Sequence, residues 1–187
     1  TSAGVPSWVA ASSGGAWTKI STTTASADAT IDFTSLSSDY IDFKVIGSGV
    51  VPATDGTSLY MRFSIASSFI TSSSYRFGYG GHDSDNNEKY SAGNPDSVII
   101  MHSPVSVCSN NAAESMYFEA AVANVHSTTT YTNAVVNTIL RTNNSRAQPT
   151  FGGGTLDNAA AVDGIQFFFD SGNVSTGEFT LYGRKIT

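Results

Sequence analysis

One cysteine, Cys108, stands in 187 residues. It cannot form an internal disulfide, and one thiol cannot build a metal site alone. Charge is scarce too. Nine Lys and Arg face fifteen Asp and Glu, giving a net charge of −6. Charged residues make up 13% of the chain, against about 25% in ordinary soluble proteins. No basic run exists, which argues against a nucleic-acid partner and against an anionic membrane surface. No apolar run approaches the roughly 20 residues needed to span a bilayer as a helix, so no membrane insertion is expected. Helix signals are nearly missing, and no Gly-x-Ser-x-Gly elbow or His-x-His pair occurs.

What remains is hydroxyl-rich. The chain holds 28 Ser and 21 Thr. Thr favours strands and Ser favours turns, so the composition is that of an all-β domain with a neutral surface. At this length, a single domain buries roughly 70% of its unfolded surface and needs no disulfide staple.

The strand pattern agrees. Tyr40–Ile46 puts Ile41, Phe43 and Val45 on one face and Asp42 and Lys44 on the other. Leu59–Ile65 alternates Leu59, Met61, Phe63 and Ile65. This period of two is the signature of a half-buried strand. Further strands are predicted at 17–24, 29–33, 75–79, 98–101, 132–141, 164–170 and the chain end. The segment 114–125 has the Ala and Glu of a helix, yet Met116, Phe118, Ala120 and Val122 fit one strand face, and it reads as a strand. It pairs with 132–141 through a hairpin at 126–130. Gly152–Gly154 is expected to be a bulge or turn where a side chain would clash. Residues 80–95 read as a long polar insertion. About ten strands with turns between them predict an antiparallel two-sheet β-sandwich, jelly-roll-like.

Several landmarks recur in order: Trp17-Thr-Lys-Ile20, Ile31-Asp-Phe33, Tyr40-Ile-Asp-Phe43, Pro52-Ala-Thr-Asp55, Leu59-Tyr-Met-Arg62, Asp163-Gly-Ile-Gln-Phe167 and the closing Gly177-Glu-Phe-Thr-Leu-Tyr-Gly183. Together they resemble bacteriophage tail-fibre and virion structural domains over residues 16–187. The resemblance implies a homotrimer on a fibre axis, assembled in bacterial cytoplasm and placed in the virion. It implies attachment to a host-surface glycan or protein receptor, alongside other virion proteins. A capsid decoration or head fibre is the first alternative, and a polysaccharide depolymerase the second. The chain begins Thr1-Ser-Ala-Gly-Val-Pro-Ser-Trp8, with neither the charged nor the apolar region of a signal peptide. It reads as a fragment of a longer polypeptide or a processed chain, with residues 1–16 a linker or shaft junction and 17–187 the sandwich. Trp8 and Trp17 are expected near that junction, packing the trimer.

Site candidates cluster in the polar insertion. Aromatic rings beside carboxylates suit sugars, whose apolar faces stack on rings while their hydroxyls bond polar groups. Tyr75, Tyr79, His82, Asp83, Asp85 and Tyr90 are the expected ligand contacts. Asp83, Asp85 and Asn87 alternate as in a calcium loop, but Glu88 stands where such a loop needs Gly and Asn94 where it needs Glu. A solvated loop is the preferred reading, with no metal or cofactor. Asp157, Asp163, Asp170 and Glu178 have the spacing of turn chemistry rather than of paired catalytic carboxylates. No catalytic residue is assigned, and the chain is expected not to be an enzyme.

Overall fold

The structure, a computed structural model, describes residues 17–102 and 107–185. Trp8 and the junction proposed at 1–16 lie outside the described residues.

Thirteen strands and one short 310 turn make up the described fold. The strands are β1 (Trp17–Asp28), β2 (Ile31–Thr34), β3 (Tyr40–Pro52), β4 (Leu59–Ile65), β5 (Ser68–Phe69), β6 (Tyr75–His82), β7 (Glu88–Asp96), β8 (Ile99–Ile100), β9 (Met116–Ala123), β10 (Thr132–Arg141), β11 (Ala147–Leu156), β12 (Gly164–Phe169) and β13 (Val174–Lys185). An eight-stranded sheet runs β1-β13-β3-β9-β10-β11-β6-β7, and a smaller one runs β2-β12-β4-β5 with β8 also paired to β4. All the pairings are antiparallel. The chain crosses between the sheets at β1–β2–β3, β3–β4, β5–β6, β7–β8–β9 and β11–β12–β13, giving the expected sandwich.

Alternation decides which side chains enter the core. In β4, Leu59, Met61 and Phe63 are buried, while Tyr60 and Arg62 are half-buried. In β9, Met116, Phe118, Ala120 and Val122 point inward, so the Ala- and Glu-rich segment is a strand, as its period indicated. It pairs with β10 across the 126–130 connection. At the centre, the rings of Phe118, Phe167 and Phe179 meet at centroid distances of 5.2–5.8 Å. Phe118 also presses against Gly47 of β3, where an added Cβ would lie 2.1 Å from the ring.

Two expectations are corrected. The segment 80–95 is not a long loop: β6 and β7 form a tight hairpin turning at residues 83–87, and Glu88–Asp96 is the edge strand of the larger sheet. Polar composition hid it, because an edge strand has only one neighbour to satisfy. Gly152–Gly154 is not a bulge or turn either. It lies inside β11, in unbroken register with β10 and β6. The expected clash is real, however: a Cβ on Gly152 would lie 2.3 Å from the Gly78 carbonyl oxygen.

Candidate functional site

The six expected ligand contacts separate into two groups. In β6, inward residues alternate with outward ones, so Tyr75 and Tyr79 enter the core, at 0% and 5% exposure. The Tyr75 hydroxyl accepts from the Phe63 N–H at 3.0 Å, and burial pushes its pKa up to about 12. Burial raises the Tyr79 pKa as well, and its hydroxyl has no hydrogen-bond partner among the described residues. Neither tyrosine can touch a surface ligand. These two assignments are corrected: both fill the sandwich.

Asp83 is also internal. Its side chain has no exposed surface. Lys89 Nζ and Arg146 Nη1 each stand 3.4 Å from Oδ2, and the backbone N–H groups of Asp85 and Asn87 donate to Oδ1 at 3.0 Å. Burial alone would raise its pKa; the bonds from Asn87, Asp85 and Lys89 overcome that and hold it near 2. With both oxygens engaged by two cations and these amides, Asp83 is a structural anchor for the hairpin. Asp85 is exposed and pairs with Arg146 at 2.8 Å. His82 and Tyr90 remain on the surface, on the outer face of the larger sheet.

That outer face carries a cluster not anticipated from the sequence. Register places Tyr117 beside Ile139, Ile139 beside Pro149, and Asn137 beside Phe151. Phe151 then lies opposite Gly80, and Gly80 opposite Tyr90. Residues directly opposed across an antiparallel pair share a face. Val135, Ile139, Tyr117, Phe151 and Tyr90 are all exposed, Phe151 and Tyr90 at 62%. The Tyr90 ring lies over Gly80, 3.5 Å from where a Cβ would stand.

Further along the same face, a shallow open hollow of about 440 Å³ is lined by Arg76, Gly78, Ala92, Gly153 and Thr155, among others, and by none of these rings. A smaller apolar hollow of about 180 Å³ lies among Tyr117, Ile139, Pro149 and Phe151. Three of the bordering charges pair within the chain, Arg76 with Asp157, Arg141 with Glu114 at 3.6 Å and Glu119 with Lys44 at 3.9 Å, while Glu88 is exposed opposite His82. The Tyr117 hydroxyl donates to Glu119 at 2.8 Å, which raises its pKa and keeps it a neutral donor. Further along the same face, Trp17 sits under Lys44, whose Nζ is 5.0 Å from the ring centroid.

Reactive side chains lie elsewhere. His102 and Cys108 are both buried, with Cys108 Sγ 3.4 Å from His102 Nε2. The same nitrogen accepts from the Leu59 N–H at 3.2 Å, so its lone pair is already occupied. Burial pushes the thiol up to about 12, the opposite of what a nucleophilic cysteine needs. His126 binds the Ser37 carbonyl at 3.1 Å. Among the described residues, no three His, Cys, Asp or Glu converge on a metal position. Asp163 accepts from Ser64 Oγ and the Ser67 N–H, and Asp170 from the Ser58 N–H, so both carboxylates tie distant segments together rather than cap their own turns as expected.

The fold and this face define an antiparallel β-sandwich with a neutral aromatic surface. No protein-family model matches the chain, and no curated protein or solved structure matches it.

Proposed function

We propose that the chain is a non-covalent attachment domain, carried by a phage fibre as a homotrimer and used to hold a host surface. One observation carries this reading. The larger sheet exposes Tyr90, Tyr117, Val135, Ile139 and Phe151 to solvent, while the thiol and its histidine neighbour are buried. Exposed apolar patches of this kind mark contact surfaces. Three copies on one axis would gain strength through effective concentration without needing strong single sites. Trp17, exposed at the start of β1, would meet a neighbouring copy in such a trimer.

The test is direct. Labelled domain incubated with a panel of bacterial strains should be retained saturably by at least one, without releasing reducing ends from its surface polysaccharide. Light scattering should give three chains. A micromolar monomer would remove the trimer. New reducing ends would replace attachment with depolymerisation.

A further inference from the structure

β1 and β7 are the two edges of the larger sheet, and they are guarded differently. β7 includes Pro95, which has no N–H to offer a further strand, and its Lys89 is buried against Asp83. Prolines and inward charges both blunt an edge. β1 has twelve residues and no proline, and Thr22, Thr23 and Thr24 follow one another along it, the β-branched residues that suit strands. One edge of β1 pairs with β13. The other has no neighbouring strand among the described residues. A bare edge of that length presents a row of unpaired backbone groups.

The side chains of β1 add a second observation. Its register with β13 shifts between Lys19 and Ser21, so Ile20 is the extra residue of a bulge. Ile20 remains 40% exposed. With Ser21, Thr23, Phe33, Leu36 and Leu181, among others, it lines a cleft of about 280 Å³ between the β1 and β2 edges of the two sheets. Apolar side chains share this cleft with hydroxyls.

We propose that the chain's own residues 5–13 cover this edge, turned back through Gly14-Gly15 and paired antiparallel with β1. Gly-Gly is one of the pairs that make a two-residue hairpin turn. Such a loop fixes the register: Ser12 opposes Trp17, Ala11 opposes Thr18 and Ala10 opposes Lys19. Lys19 lies opposite Tyr182, on the outer face where Trp17 meets Lys44. Thr18 lies opposite Gly183, whose other partner, Phe43, is buried. Opposed residues share a face, so Ala11 and Val9 fall on the cleft side, with Val9 beside Ile20 at the bulge. Nine extended residues reach about 30 Å, enough to follow β1 for most of its length. The added strand would also bring Pro6 to the new edge and so supply the guard that β1 lacks. A two-residue loop makes the pairing intramolecular, which favours this segment over a second copy through effective concentration. The proposal is independent of the attachment reading.

The experiment uses the full chain with Cys108→Ala as background. Ala10→Cys and Lys19→Cys, introduced together, should form a disulfide under a mild oxidant, because directly opposed positions are within its reach. The product should lose both thiols while still running as one chain. Ala11→Cys with Lys19→Cys, on opposite faces, should keep its thiols. Val9→Asp, which places a charge at the cleft, should lower the melting temperature and speed hydrogen exchange of β1 amides by at least about tenfold. Val9→Ile should behave as the wild type. Bridges between chains would overturn the proposal by making this edge a contact between copies. Equal bridging in both cysteine pairs would overturn it too, as would β1 amide exchange that Val9→Asp leaves unchanged.

Discussion

The outer face of the larger sheet and the buried pair at Cys108 and His102 invert the usual placement of chemistry. In an enzyme, the reactive groups meet solvent and the apolar groups hide. Here the thiol and imidazole are enclosed and hydrogen-bonded, and Phe151, Tyr90, Val135 and Ile139 are in the open. The cause is strand phase. In β10, Ala134, Val136, Thr138 and Leu140 face inward, which leaves Val135, Asn137 and Ile139 outside. An ordinary half-buried strand would carry polar residues there. Over β9–β11 the outward side mixes Tyr117, Val135, Ile139 and Phe151 with Glu119, Asn137 and Arg141, and it has no covering layer among the described residues. The difference teaches that strand phase alone sets which groups meet solvent: the apolar side chains of this face are open, while the thiol and imidazole are enclosed.

The contrast can be broken at several points. The largest expected effect is on the thiol. With its pKa pushed up to about 12 against an ordinary value near 8.5, native Cys108 should react with a disulfide reagent at pH 8 at least about a thousandfold more slowly than in urea. A native thiol that labels at once would mean the pair is not sealed. Next comes the core. Phe118→Ala, at the meeting of three rings, should cost about 3–5 kcal/mol in urea unfolding.

Acid sharpens the contrast from another side. Asp83 is held at about 2 in the folded chain, below its ordinary value of 3.8. A depressed carboxylate contributes stability that is fully present above the unfolded value and disappears as pH falls through the folded one. The wild type should therefore lose this contribution between about pH 4 and pH 2. Asp83→Asn should unfold with a shallower pH slope over that window. Equal slopes would show that the hairpin does not depend on the carboxylate. The smallest effect is on the exposed face: Phe151→Ala should change stability by no more than about 0.5 kcal/mol. A loss approaching that of Phe118→Ala would mean the ring is a core residue of a larger assembly.

Much of the fold was readable because alternation is strong where one face is buried. The segments 40–46, 59–65 and 114–125 each declared their inward residues. β11 was not readable, since Pro149 and three consecutive glycines look like a turn, and only its two neighbours make it a strand. β7 was hidden by its polar residues. The site was half visible for the same reasons. Tyr90 and His82 were named, but in a loop that turned out to be a hairpin. Phe151 lay on the unread strand. Val135 and Ile139 fell on a phase whose other members, Asn133, Asn137 and Arg141, are polar, so it read as a solvent face and gave no sign of an apolar patch. The contact between Cys108 and His102 spans a connection in the chain, and six residues of separation carry no signature of it.

The most direct measurement takes a bacterial strain that retains the wild-type domain and compares two variants, one from each region. The account predicts that Tyr90→Ala/Phe151→Ala loses adsorption while Cys108→Ala adsorbs as the wild type, with polysaccharide length unchanged throughout. Adsorption that survives removal of both rings, or polysaccharide shortening that disappears with the thiol, would contradict it.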